Sequence, residues 1–121
     1  MVDRRYLSVI VLLISVFVTG TAYSNADCEG FVTLLSLSLD SQEKITLSLD
    51  GGPSNVYLCS IGPTEINDVP AEACRAFYAT LMAAKITDKK VLIRFYDHNS
   101  CASIPAWANV GRLGWTKVLR D

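Results

Sequence analysis

The chain has 121 residues, 11 Lys and Arg against 12 Asp and Glu, one His, a formal net charge of -1 and a 50% hydrophobic composition. That length admits a single domain. A balance with no basic excess excludes a phosphate-backbone partner, so nucleic acid is not expected.

Residues 1–5 include Arg4 and Arg5 and lead into an apolar run, residues 6–18, that gives way to Thr19, Gly20, Thr21 and Ala22. Charged, then apolar, then small is the order of a cleavable signal peptide. The run is about 13 residues, short of the roughly 20 that cross a bilayer as a helix. Ser24, Asn25 and Ala26 place small residues where a signal peptidase reads them, so the cut is expected after Ala26, with Ala22 as second choice. Asp27, in front of Cys28, is not the small residue that lipid attachment wants. The expected organisation is a signal peptide over 1–26 and one domain over 27–121. Losing Asp3, Arg4 and Arg5 leaves 9 basic and 11 acidic residues, and the expected location is secreted or periplasmic, with no membrane contact after cleavage. In such a compartment an even set of four cysteines reads as two disulfides, which a small core needs.

In residues 31–39, Thr33, Leu35, Leu37 and Leu39 share one face and Ser36 and Ser38 the other, which predicts a strand. Asp40, Ser41, Gln42 and Glu43 form a turn, and residues 44–49 alternate again with Ile45, Leu47 and Leu49 on one face, completing a hairpin. A second turn, Asp50-Gly51-Gly52-Pro53-Ser54-Asn55, precedes a third strand over 56–61, ended by Gly62-Pro63.

The period then changes. With Asp68 as an expected cap and Pro70 in the first turn, residues 71–87 predict a helix whose inner face is Cys74, Phe77, Tyr78 and Leu81. Lys85 points to solvent. The opposite face carries Ala76, Ala79, Met82, Ala83 and Ile86, with only Glu72, Arg75 and Thr80 as polar relief, and is expected to be covered by something else. Lys89 and Lys90 read as a solvated turn. Residues 91–96 predict a fourth strand with Val91, Ile93 and Phe95 inward, and residues 113–119 a fifth.

Three strands, a helix and two strands make a mainly β chain with one helix, the order β-β-β-α-β-β of an OB-fold, a five-stranded barrel. In that topology the first strand runs antiparallel to the fourth, which brings Cys28 near Cys101 and leaves Cys59 to pair with Cys74. Each bridge would contribute roughly 3–4 kcal/mol. Four cysteines permit three connectivities.

Tyr96, Asp97, His98, Asn99 and Trp107 crowd one loop region, and sugar sites combine an aromatic platform with amide and carboxylate hydrogen-bonding groups, so these five are the candidate ligand residues. The competing reading has Trp107, beside Pro105, plugging the barrel end. Tyr57 and Trp115 alternate with apolar strand residues and read as core. Asp97 and His98 are adjacent on an extended segment and point apart, so they make no catalytic dyad. With Cys101 they fit no zinc spacing and lack a fourth ligand. No GxSxG, HExxH or phosphate-binding glycine loop occurs, and neither an enzyme nor a cofactor is expected.

The strand holding Val56-Tyr57-Leu58-Cys59, the second cysteine Cys74 heading an alanine-rich helix, and Lys89-Lys90-Val91-Leu92-Ile93-Arg94-Phe95-Tyr96 together resemble the binding subunits of bacterial five-plus-one toxins, as in subtilase cytotoxin and typhoid toxin. The likeness covers about residues 56–107. It implies an exported OB-fold that assembles as a homo-oligomer, binds cell-surface glycans and serves a toxin-like partner chain. The chain departs from that family in the place of its second disulfide and in lacking a sugar-contacting serine beside Cys28. The leading expectation is a non-catalytic glycan-binding module. The alternative is a periplasmic structural or inhibitory protein that binds another protein through the apolar helix face or a barrel edge.

Overall fold

The structure, a computed structural model, describes residues 25–38 and 42–119. The signal-peptide expectation for residues 1–24 and the expectations for Leu39, Asp40, Ser41 and the Trp115 side chain lie outside the described residues. The elements run β1 (Ala26–Leu37), β2 (Lys44–Leu49), β3 (Val56–Ser60), helix α1 (Ala71–Ile86), β4 (Lys90–Phe95), a short 3-10 turn (Cys101–Ser103) and β5 (Leu113–Val118). The strands form one five-stranded antiparallel sheet in the order β3-β2-β1-β4-β5. A mainly β chain with one helix is what the alternation and the single change of period predicted.

β1 starts five residues earlier than the alternation from Phe31 implied, and it is the hub of the sheet. Its first half pairs with β4, Ala26 opposite Phe95 through Phe31 opposite Lys90, and its second half pairs with β2, Val32 opposite Leu49 through Leu37 opposite Ile45. The early half hides small side chains: Ala26, Cys28, Gly30 and Val32 are buried while Asp27, Glu29 and Phe31 are exposed. A bulge between Val32 and Leu34 then exchanges the faces, so that Leu35 and Leu37 turn to the core and Leu34 is exposed. One extra residue does this because side chains alternate with period two. Gly30 is required at the crossover, since a Cβ there would run into the backbone carbonyl and carboxylate oxygens of Asp50. Ala26, the residue before the expected signal-peptide cut, is 3% exposed in this strand, whereas the second-choice cut after Ala22 leaves β1 whole.

The core lies between α1 and the sheet. Cys74, Leu81 and Ala84 of the helix join Ile45, Leu47, Leu58, Val91, Ile93 and Phe95 in one cluster, with Phe77 and Tyr78 packed against it. The helix ends at Ile86 and is capped by Pro70 without a side-chain hydrogen bond. Asp68 is therefore not its cap. Asn67 and Asp68 both have positive φ, 56° and 57°, in a tight turn closed by the Val69 N–H donating to the Ile66 carbonyl at 3.1 Å. Two successive left-handed residues are the signature of a type I′ turn, which Asn and Asp tolerate. Lys90 is likewise not in a turn: it opens β4, with its ammonium 5.5 Å from the centre of the Phe31 ring.

Both disulfides join the cysteines that the topology brought together. Cys28 of β1 bonds Cys101 and Cys59 of β3 bonds Cys74 of α1, each pair with its Cα atoms 5.7 Å apart. Ala76, Ala79, Ala83 and Ile86 are exposed on the outer face of the helix, Ile86 by 75%. Among the described residues no helix is long and apolar enough to cross a membrane.

Candidate functional site

β3 is an edge strand, and an uncovered edge invites pairing with another chain. Here two devices cover it. Residues 107–110 run alongside: the Trp107 N–H donates to the Asn55 carbonyl at 2.7 Å, the Tyr57 N–H to the Ala108 carbonyl at 3.0 Å, and the Val110 N–H to the Tyr57 carbonyl at 3.2 Å. Tyr57 and Asn109 form a parallel bridge. The second device is Asn67. From its type I′ turn its amide donates to the Tyr57 and Leu58 carbonyls at 2.9 and 2.8 Å, and its oxygen accepts the Gly111 N–H at 2.9 Å.

This bracing presents an aromatic surface. Trp107 is 64% exposed and its backbone has φ of +59°, a left-handed conformation that costs a bulky residue about 1–2 kcal/mol. Its ring lies 6.4 Å from that of Tyr57, tilted by 57°, the tilted geometry that ring quadrupoles favour. On Tyr57 sits the ammonium of Lys44, 4.6 Å from the ring centre, a cation–π contact. Lys44 also lines a cavity of about 220 Å³ with Gln42, Thr64 and Ile66. Glu43, Asn55, Asn67 and Asp68, neighbours of these residues in sequence, share the positive φ of Trp107. Asn and Asp adopt this conformation readily in turns, whereas for the bulky Trp107 it is strained and persists because surrounding contacts over-determine it.

Two expectations change on this geometry. Tyr57 is half-buried rather than core, because it alternates along β3 with the buried Val56 and Leu58 and faces the other side of the sheet. Trp107 does not act as a plug, since its indole lies beside Tyr57 and is 64% exposed.

The other four candidate ligand residues take different partners. Asp97 accepts the Arg112 backbone N–H at 2.7 Å and its guanidinium at 2.9 Å. Those bonds from Arg112 hold the Asp97 carboxyl below the usual carboxylate range and raise Arg112. The Asp97 side chain is 39% exposed and that of Arg112 64%, so solvent screens the pair, which fixes the loop more than it stabilises the fold. Gly111, φ +78°, leaves room for this carboxylate, which a Cβ would clash with at 2.5 Å. His98 Nε2 lies 2.9 Å from the Val110 carbonyl and is the nitrogen that donates to it. Tyr96 is 39% exposed and Asn99 is exposed. Asp97 and His98 thus brace the segment that carries Trp107, while Trp107, Tyr57 and Lys44 come together apart from them.

Lys44, Gln42, Thr64, Ile66 and Asn67 were not singled out in the sequence, and Tyr57 was read there as core. The signal available was Asn67-Asp68, a pair suited to a type I′ turn. No three His, Cys, Asp or Glu side chains come together as a metal set among the described residues. Comparison of the chain with family models, with curated proteins and with solved structures finds no match.

Proposed function

We propose that this protein is an exported, non-catalytic binding module with an OB-type barrel, and that it takes carbohydrate on the surface formed by Trp107 and Tyr57. The observation that carries the reading is the placement of Trp107: a large indole, 64% exposed, held in a costly backbone conformation against a second aromatic ring. An exposed indole set against a second ring offers a flat apolar platform, and the C–H face of a sugar covers such a platform. Lys44, beside the pair, adds a hydrogen-bond donor for sugar oxygens.

The barrel reading draws support from the element order and from the parallel Tyr57–Asn109 bridge, which joins β3, at one end of the strand order β3-β2-β1-β4-β5, to the segment that leads into β5, at the other. The likeness to toxin binding subunits is consistent with the same ligand class, with assembly into a ring of copies and with a partner chain that supplies a catalytic activity. Two disulfides suit an oxidising compartment. A glycan array probed with the non-reduced protein tests the proposal. Selective retention on a group of related glycans is the expected result, and no retention anywhere on the array would defeat it.

A second reading has its own observation. The outer face of α1 exposes Ala76, Ala79, Ala83 and Ile86, and beside it a groove of about 270 Å³ is lined by Ala73, Ala76, Phe77, Thr80, Gly114 and Thr116. A face of that kind suits a protein partner. Replacing Ile86 by Glu would abolish a complex made through it and leave glycan binding intact.

A further inference from the structure

The segment that carries Trp107 is fastened at two places. Asn67 holds it at Gly111, whose N–H it accepts at 2.9 Å. At the other end the Asn55 carbonyl accepts the Trp107 backbone N–H at 2.7 Å. The direction of that carbonyl therefore helps to aim Trp107. Asn55 closes the turn before β3 with φ 51°, a conformation that asparagine reaches readily. A connection of that length has several ways to close, and something outside the turn has to choose among them.

Ser48 makes the choice. Along β2, Ile45, Leu47 and Leu49 join the core, which sends Ser48 to the opposite side of the sheet. It is nevertheless only 8% exposed, and its hydroxyl engages Asn55 twice, accepting the backbone N–H at 2.7 Å and donating to Oδ1 at 3.4 Å. The Ser48 carbonyl accepts the Thr33 hydroxyl at 3.2 Å, and Thr33 sits in the bulge of β1. A continuous line of hydrogen bonds thus runs from the hub strand to the platform, through Thr33, Ser48, Asn55 and Trp107. We infer that Ser48 is a positioning residue for the aromatic surface: its hydroxyl orients the Asn55 backbone, and Asn55 in turn fixes where Trp107 stands beside Tyr57. The consequence for binding rests on the carbohydrate reading above, whereas the positioning itself does not.

Hydrogen exchange followed amide by amide in the non-reduced protein and in Ser48→Ala tests the assignment. The Trp107 N–H is bonded to the Asn55 carbonyl and the Val110 N–H to the Tyr57 carbonyl, in one segment. General loosening of the fold would speed both, while loss of the Ser48 hydroxyl as an aiming device speeds Trp107 alone. In Ser48→Ala the Trp107 amide is expected to exchange about 10-fold faster and the Val110 amide to stay within about 2-fold of wild type, as for the loss of one local hydrogen bond. Ser48→Thr, which restores the hydroxyl, is expected to restore the protection of Trp107. Equal acceleration of the two amides, no acceleration at Trp107, or a threonine variant as fast as the alanine one overturns the inference. Titration of Ser48→Ala with a glycan retained by the wild type is expected to show affinity about 5-fold weaker. Selective exchange at Trp107 with unchanged glycan affinity would uphold the role of Ser48 and defeat the reading of Trp107 as the sugar platform, so the two failures are distinguishable.

Discussion

The rings of Tyr57 and Trp107 meet 6.4 Å apart although α1 and β4 lie between them in the chain. Their meeting depends on the segment that lies against the β3 edge and on the left-handed backbone of Trp107.

That conformation makes Trp107→Gly informative. A core tryptophan costs roughly 3–5 kcal/mol when truncated. For Trp107, loss of the Tyr57 contact is offset by relief of the positive φ, so chemical denaturation is expected to show a change within about 1 kcal/mol. Glycan affinity of the same variant is expected to fall at least about 10-fold, as for an aromatic anchor.

Asn67 holds three backbone groups at once. Asn67→Ala removes those hydrogen bonds and places a Cβ-bearing residue without a local polar partner at φ 56°. The expected loss in urea denaturation is about 2–4 kcal/mol. Asn67→Gly tolerates the turn and loses only the bonds, so it is expected to be milder. Equal effects of the two would show that the turn conformation contributes nothing.

The sheet was largely legible because the period-two sequence patterns of β2 and β4 persist, and the helix because an alanine-rich stretch places Cys74 and Leu81 on one face. The start of β1 was not, since Ala26, Cys28 and Gly30 are small and the bulge before Leu34 breaks the alternation. Both disulfide pairings followed from the strand order. The candidate surface was half legible. Trp107 was singled out in its loop, but Lys44 and Tyr57 join it only through the β2–β3 register and the long-range bonds of Asn67 and Asn55, which no local pattern encodes.

The disulfides should open in order. Cys59 and Cys74 are both fully buried, and Cys28 as well, but Cys101 is partly exposed. A mild thiol reductant is expected to reach Cys28–Cys101 first. Differential alkylation followed by mass spectrometry should label Cys28 and Cys101 before Cys59 and Cys74. The opened protein should also bind glycan more weakly, because Cys101 tethers the loop that leads to Trp107.

Acid should loosen the same loop. Arg112 depresses Asp97 and Arg94 depresses Asp27, through side-chain hydrogen bonds in both cases. A carboxylate depressed in the folded state contributes stability that is complete above its unfolded value, near 4, and is lost as pH falls through the lower folded value. Denaturation midpoints are expected to be flat from neutral pH down to about 5 and to fall below about 4. Asp97→Asn should shorten that fall. An undiminished fall in this variant would place the acid sensitivity elsewhere.

The most direct test of the carbohydrate surface is the indole N–H resonance of Trp107, assigned by its disappearance in Trp107→Phe and followed by nuclear magnetic resonance while a glycan retained on the array is added. A saturable shift of that resonance, with the same dissociation constant as the array ligand, is the predicted result. An unmoved Trp107 indole at glycan concentrations that saturate the protein would contradict the account and place the ligand on another face.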